Sequence, residues 1–459
     1  MEIGKSILSQ ADALRRGLDT AFRDKIVRAI YTDAEVIAAR AVKRRKGGYP
    51  WDEWIDRVIT SPITGIPIML VGLALVFWVT VAGANYPSQV IAAVFFWIEE
   101  KASQLFTTFG APWWLTGFIW HGVYRGLAWV VSVMLPPMAI FFPIFTILED
   151  LGFLPRVAFN LDRLFRKAGA HGKQALTMSM GFGCNAAGVI SCRIIDSPRE
   201  RFIAILTNTF VPCNGRFPTL IILSTIFVGG VVSPSFASIA AAGAVVGVVV
   251  FGMIVTLVVS WFLSRTVLKG EASAFTLELP SYRRPSILRI LYTSLIDRTL
   301  FVLKRAVVIA TPAGGLIWLL SNIHSGGQNL TTWISGFLNP FGILIGLDGV
   351  ILLAYIIAIP ANEIVIPTIL MTYMNSTMMV ELESLAELKA LLVGQQGWTL
   401  LTAVCLMLFS ILHSPCSTTL WTMWKETRSL KWTAFGALMP LFLGICVCLL
   451  VAQGARLFF

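Results

Sequence analysis

The chain has 459 residues, of which 56% are hydrophobic and only 13% are charged, and its formal net charge is +11. A soluble domain is about half apolar and about a quarter charged, so this composition excludes an ordinary soluble protein. Several apolar runs reach the roughly 20 residues that cross a bilayer, which predicts an all-α polytopic membrane protein. Basic loops that set topology and meet anionic lipid account for the positive charge, so we expect membrane lipids and no nucleic acid as partners.

The N-terminal region, 1–60, is polar and basic, with apolar residues at helical spacing. It predicts amphipathic helices. The basic cluster Lys43–Lys46 predicts that this end is cytoplasmic, and the protein is therefore expected to be a multi-pass protein of the inner (plasma) membrane.

The next region, 61–125, is predicted to hold a first span at 66–84 and then helices lying at the outer interface, within 85–120. A cytoplasmic linker is predicted at 264–304, and the C-terminus is expected outside. About seven spans are predicted in all. The other six are 126–148, 202–227, 237–263, 305–320, 398–424 and 432–455.

A first re-entrant hairpin is predicted where the apolar run Gln174–Cys192 lies between two basic segments. If both flanks are cytoplasmic, the run enters the membrane and returns. Its glycine-rich centre, Gly181–Gly188, is then a non-helical turn, which is tolerated at membrane depth only beside protein or a watery cavity.

A second hairpin is predicted at 350–373, because this apolar run is broken at Pro360-Ala361-Asn362-Glu363 and lacks basic flanks. The acidic loop that follows, with Glu381, Glu383 and Glu387, favours an entry from outside. The two hairpins are thus expected to open on opposite sides.

Two halves of the chain, 126–263 and 305–459, show the same order of features. Each has a span, a hairpin, a broken span and a final span, with Pro212-Cys213 matching Pro415-Cys416. This order predicts an inverted-topology repeat, the arrangement in which many secondary transporters build a substrate site from broken helices.

The breaks carry thiol, amide, hydroxyl and carboxylate groups, a set that suits a borderline divalent metal better than a sugar. Glu363 is the sharpest candidate, since a carboxylate inside a membrane is costly and is a functional hypothesis by default. The candidate metal or substrate residues are Cys184, Asn185, Cys213, Asn214, Asn362, Glu363, Cys416 and Ser417.

Four further residues are accessory candidates. Arg216 could be the countercharge of Glu363 or an anchor for the hairpins. His413 is the one histidine placed next to a break. Glu149 and Asp150 could serve the pathway or simply cap the cytoplasmic end of the second span.

From about Trp51 onward the chain resembles the membrane, or gate, part of the ferrous iron transport protein B family. The resembling segments include Leu148–Arg156, Gly181–Asn185, Glu278–Arg283, Glu363–Val365 and Pro415-Cys416. The resemblance implies two gate regions, Fe(II) as the transported substrate and cysteines along its path.

Three departures from the family pattern stand out. Ala186-Ala187 replaces the usual Val-Pro, Asn362 stands where a Lys is usual, and no G-x-x-x-x-G-K-[ST] motif is present, so the family's N-terminal GTPase is not recognisable. We therefore expect no nucleotide binding by this chain and no enzyme activity. A separate GTPase or small cytoplasmic partner could dock on 1–60, and a homo-oligomer stays open.

Two rival functions remain at this stage. The gate regions are similar to those of nucleoside transporters, so the substrate could be a small organic solute. Alternatively, the chain could be a non-transporting membrane subunit.

Overall fold

The computed structural model describes residues 20–41, 50–61, 63–233, 236–268, 285–325, 328–376 and 385–458. Within these ranges, seven helices are long and apolar enough to cross a membrane, or up to eight if a bent pair is one span. The prediction of an all-α polytopic membrane protein is confirmed. The Lys43–Lys46 cluster, the Glu278–Arg283 segment and Glu381 and Glu383 lie outside the described residues.

The helices follow one another with short connections, and the only strands described are two-residue segments that pair antiparallel, His324–Ser325 with Gln328–Asn329. The helices are α1 (Thr20–Ala41), α2 (Pro50–Ile59), α3 (Gly65–Thr108), α4 (Trp113–Asp150), α5 (Phe153–Lys167), α6 (Gln174–Gly183), α7 (Asn185–Ser191), α8 (Pro198–Thr207), α9 (Phe217–Leu223), α10 (Ala237–Arg265), α11 (Ile287–Asn322), α12 (Leu330–Leu344), α13 (Gly349–Ile357), α14 (Val365–Tyr373), α15 (Leu385–Lys389), α16 (Leu400–Leu412), α17 (Ser417–Thr427) and α18 (Leu430–Phe458).

The structure has no break between the predicted first span and the residues that follow it up to 108, whereas the outer interfacial position of this stretch stays a prediction. Residues 65–108 form one helix, α3, of 44 residues, or about 66 Å at 1.5 Å per residue. It runs antiparallel to α4. Glu99 on α3 is buried and pairs with His121 (2.7 Å) and Arg125 (3.0 Å) on α4, so this polar stretch is held between two helices. The aromatic residues of this stretch belong to the same pair of long helices.

Part of the predicted linker 264–304 is helical in the structure. Its described second part, 285–304, is largely helical, and the helix α11 begins at Ile287, well before the predicted span at 305–320. The sequence did not predict this extension of the helix, because residues 293–300 mix charged and hydroxyl residues with leucine and isoleucine and so lack a continuous apolar run.

The first hairpin consists of α6 and α7, separated at Cys184, which has an extended backbone. Its two ends lie together: the Lys173 Nζ donates to the carbonyl of Ile194 and to Asp196, both at 3.0 Å. The chain therefore enters and returns at one side.

The second hairpin consists of α13 and α14, and its ends also lie together. The Asp348 carboxylate caps α13 by accepting from the Ile351 N–H at 2.7 Å, and it accepts a short hydrogen bond from the Tyr373 hydroxyl. Trp398 Nε1 donates to the same hydroxyl at 2.9 Å. A half-buried chain of hydrogen bonds thus fixes the base of this hairpin.

The two hairpins open at opposite ends of the protein. The broken span α8–α9 starts next to the base of the first hairpin and ends at Phe227, which stacks on Trp398 at the base of the second. The broken span α16–α17 runs the other way, from Trp398 to Glu426, which pairs with Arg193 beside the first hairpin. The bases of the two hairpins thus contact opposite ends of the broken spans, whereas the inverted-topology repeat stays a prediction.

Helices α4 and α11 cross at a contact made of glycines. A Cβ added to Gly314 would lie 2.4 Å from the carbonyl oxygen of Gly122 and 2.9 Å from the Cα of Gly126. Only glycine permits this approach of two backbones, a common way to bring membrane helices together.

We expect Gly314→Ala to lower the stability of the purified protein by about 1–3 kcal/mol, because backbone atoms must move to admit the methyl group. The matched control is Gly243→Ala on α10, where an added Cβ meets nothing within 4 Å. Melting in detergent would be compared for both. Equal melting temperatures would contradict the tight crossing.

Candidate functional site

One small cavity lies where the tips of both hairpins meet the breaks of both spans. Its volume is about 30 Å³, room for a bare ion with one or two waters. Seven of the eight predicted site residues line it; only Ser417 does not. The lining residues are Met134, Met138, Gly183, Cys184, Asn185, Val302, Ala306, Cys213, Asn214, Gly215, Pro360, Ala361, Asn362, Glu363, Cys416 and Thr418.

The three cysteines of the cavity occupy equivalent local positions. Cys184, Cys213 and Cys416 have extended backbones and each directly precedes a helix or helical turn. A metal binds the thiolate form of cysteine, so these three sulfurs are candidate ligands once they lose their protons. The Cys416 sulfur also lies 3.2 Å from the hydroxyl of Thr419.

Asparagine side chains tie the first hairpin to the break between α8 and α9. The Asn208 amide donates to the carbonyl of Asn185 at 3.2 Å. A Cβ on Gly181 or Gly188 would lie 2.9 Å or 2.4 Å from that amide, so both arms press against it. In the orientation that satisfies its surroundings, Asn185 donates to the carbonyls of Gly181 and Val211, both at 3.1 Å.

The tip of the second hairpin lies directly against the same break. A Cβ on Gly215 would fall 2.1 Å from Oε1 of Glu363, so the carboxylate occupies the space that a side chain at 215 would need. Asn214 lies beside it in the cavity wall. Asn362 is 5% exposed, and its Oδ1 has no hydrogen-bond partner among the described residues. This oxygen is an uncommitted acceptor.

Ser417 has a structural position instead. Its N–H and its hydroxyl donate to the carbonyl of Ile359, at 2.8 and 3.2 Å. The bonds join the second hairpin to the break between α16 and α17. Ser417 therefore holds the cavity wall in place without facing the cavity.

Arg216 is an anchor and not the ion-pair partner of Glu363. It is 2% exposed, and its guanidinium donates to four backbone carbonyls. These belong to Thr209 (2.9 Å), Ile411 (3.0 Å), His413 (3.2 Å) and Ser414 (3.4 Å). One side chain thus satisfies the free carbonyls of both broken spans, and no ion pair with Glu363 is formed in the described part of the chain.

The other accessory candidates lie away from the cavity. The His413 ring is buried against Tyr355 and Phe409, with ring centres 4.7 and 5.5 Å away. Glu149 and Asp150 are exposed at the C-terminal end of α4, outside the cavity wall.

Sequence reasoning missed two methionines of the cavity, Met134 and Met138 on α4. They are four residues apart and so share one helical face, which was the signal available in the sequence. Thioethers are soft ligands that add to the sulfur donors of the cysteines.

The donors do not form a ready-made metal cage. Among the described residues, no three His, Cys, Asp or Glu side chains converge closely enough to hold an ion. The cavity gathers sulfur, amide and carboxylate groups without fixing a coordination sphere.

Charged residues surround the base of the first hairpin. Arg193 forms a two-pronged pair with Glu426 at 2.9 and 2.7 Å, which joins the hairpin to the end of α17. The Lys173 ammonium, by its hydrogen bond and its charge, holds the pKa of the exposed Asp196 carboxyl below its usual range.

Comparisons with known proteins support the family resemblance. The Gate family, described as nucleoside recognition, matches residues 131–227 and 303–430, and the ferrous iron transport protein B C-terminal family matches residues 245–297. This chain belongs to the ferrous iron transport protein B family. The hairpins and breaks described above fall within the Gate match.

Several proteins similar to this chain are named Fe(2+) transporter FeoB. The protein of Staphylococcus aureus (strain MSSA476) is 28% identical over 409 residues, covering 88% of this chain and 59% of the relative. The Leptospira biflexa protein is 29% identical over 420 residues with the same coverage, and the Synechocystis protein is 27% identical over 394 residues, covering 84% and 60%. The chain thus spans about three-fifths of these relatives, and no solved structure matches it.

We expect Arg216→Met to destabilise this protein by more than about 3 kcal/mol, because four buried carbonyls lose their donor and each costs about 1–3 kcal/mol when unpaired. Arg216→Lys should be intermediate, since an ammonium cannot span the same fork. Thermal melting in detergent measures both.

Arg265→Met is the control, because Arg265 is exposed at the end of α10 and stacks only on Trp261. If Arg216→Met melted like wild type, the anchoring role would be wrong.

Proposed function

We propose that this chain forms a pathway for a divalent metal, with Fe(II) carried inward across the cell's inner membrane. The observation that carries the proposal is the single cavity shared by both hairpin tips and both breaks, with three cysteines, two methionines, amides and Glu363 in its wall. Sulfur donors combined with a carboxylate suit a borderline metal such as Fe(II). The names of the relatives point to the same substrate.

The lengths of the hairpin arms support a site near the middle of the bilayer. Helices α6 and α13 have 10 and 9 residues. Each is therefore about 14–15 Å long, and two such arms meeting tip to tip add up to about the 30 Å of the hydrocarbon core. With the first hairpin opening to the cytoplasm, the second opens outward.

Alternating access would then need each hairpin base to part in turn. A thiolate site also couples metal binding to proton release, because thiols must lose their protons to bind. Two points stay predictions: that a separate GTPase could act in trans, and that this chain itself binds no nucleotide.

A nucleoside does not fit this sulfur-lined cavity, so a nucleoside site would have to lie elsewhere in the protein. Pockets for small organic ligands usually measure about 300–1,000 Å³, whereas the cavity is about 30 Å³. The description of the Gate family nonetheless makes nucleoside uptake a fair second arm of the experiment.

In anaerobic proteoliposomes, we expect Cys184→Ser, Cys416→Ser and Glu363→Gln each to reduce Fe(II) uptake roughly tenfold or more, since changes at metal ligands and their supports cost at least about this much. The matched control is Cys192→Ser. Cys192 is fully buried, donates to the carbonyl of Gly188 and lies outside the cavity wall.

Wild-type uptake in all three cavity variants would reject the site. Uptake of a nucleoside, with no metal flux, would favour the rival substrate. A lack of any flux together with a stable partner on pull-down would favour a non-transporting subunit.

A further inference from the structure

A second, larger cavity of about 470 Å³ lies beside the small one and contains none of the cysteines. It is an open cleft lined by α3, α4, α9 and α14. Most of its wall is apolar. Its polar lining residues are Asn85, Ser88, Asn214, Thr219 and Glu363.

This larger cavity, which we call the vestibule, lies on the side where the second hairpin opens. Its wall follows α9 from the break at Asn214 toward Ile222, and α14 from the tip at Glu363 toward Leu370. It also reaches Leu388, which follows the base of the second hairpin. The vestibule thus extends from the hairpin tips toward the proposed outer face.

Glu363 and Asn214 line both cavities. They form the boundary between a space that admits many waters and one that admits one or two. A divalent cation with its full shell of six waters fits only the larger space. It must therefore exchange water for protein ligands where these two side chains lie.

Resting on the function proposed above, we propose that the vestibule receives the hydrated divalent cation from outside, with Asn85 and Ser88 hydrogen-bonding its water shell, and that Glu363 and Asn214 replace those waters as the cation passes to the sulfur-lined cavity. Asn85 and Ser88 are three residues apart on α3 and so share a face. Glu363 supplies the negative charge that offsets the lost hydration. Thr219, 4% exposed, adds a hydroxyl on the opposite wall.

The test places bulk in the vestibule and beside it. Ser88→Trp adds bulk to the wall of the vestibule, whereas the control Tyr86→Trp changes a residue that is 75% exposed and outside that wall. Fe(II) uptake into anaerobic proteoliposomes is measured for both, and melting confirms that both fold. We expect Ser88→Trp to abolish most uptake and Tyr86→Trp to retain it. Full uptake by Ser88→Trp, or an equal loss of uptake in Tyr86→Trp, would overturn the route through the vestibule. Fe(II) uptake by the wild-type protein would still support the transport function in either case.

A binding readout separates the two proposals. In Ser88→Cys, a water-soluble cationic thiol reagent should modify the new thiol, and Fe(II) should slow that modification several-fold, as followed by peptide mass. Glu363→Gln in the same background should remove the protection. If the wild-type protein shows no uptake, the transport function is rejected. Protection of the thiol at position 88 by Fe(II) then tests on its own whether the vestibule binds the cation. Absence of protection overturns it.

Discussion

The guanidinium of Arg216 is the interaction on which the centre of this protein depends. Two spans are interrupted in the middle, and each interruption leaves backbone carbonyls without helical partners. In a region without water, unpaired groups of this kind cost several kcal/mol each. Arg216 donates to carbonyls of both interruptions at once, so it permits the two breaks and also joins them.

A consequence of this arrangement is that the breaks form a fixed frame, and the hairpins are the parts attached to it. The two hairpins are attached differently. Ion pairs at the surface, Lys173 with Asp196 and Arg193 with Glu426, hold the base of the first. Each pair has one largely exposed partner, Asp196 or Arg193, so solvent and salt screen the attraction and this base is the easier of the two to part. The half-buried Asp348–Tyr373–Trp398 chain holds the second more firmly.

The sequence predicted the hairpins and breaks well because their causes are local. Proline, glycine and asparagine interrupt apolar runs at Cys184, Pro360 and Pro415, and basic flanks distinguish a returning run from a crossing one. The length of α3 could not be predicted in this way. The sequence around Glu99 is polar and suggests the end of a membrane span. The partners of Glu99, His121 and Arg125, are more than 20 residues away, and only the fold shows that they pair with it.

The candidate site shows the same limit. The groups at the breaks were found because each is unusual in an apolar run, yet Met134 and Met138 are ordinary residues of an apolar helix and only the fold brings them to the cavity. The role of Arg216 also depended on the fold, since its acceptors Ile411 and His413 lie almost 200 residues along the chain.

Transport of a metal, as proposed above, does not require the closed set of ligands that a structural metal site has. A pathway must bind its ion well enough to draw it from water and weakly enough to release it. In this protein the donors are divided between a boundary formed by Glu363 and Asn214 and a cavity rich in sulfur. An ion can therefore exchange ligands in steps, and no single position needs to hold it with the affinity of a complete cage.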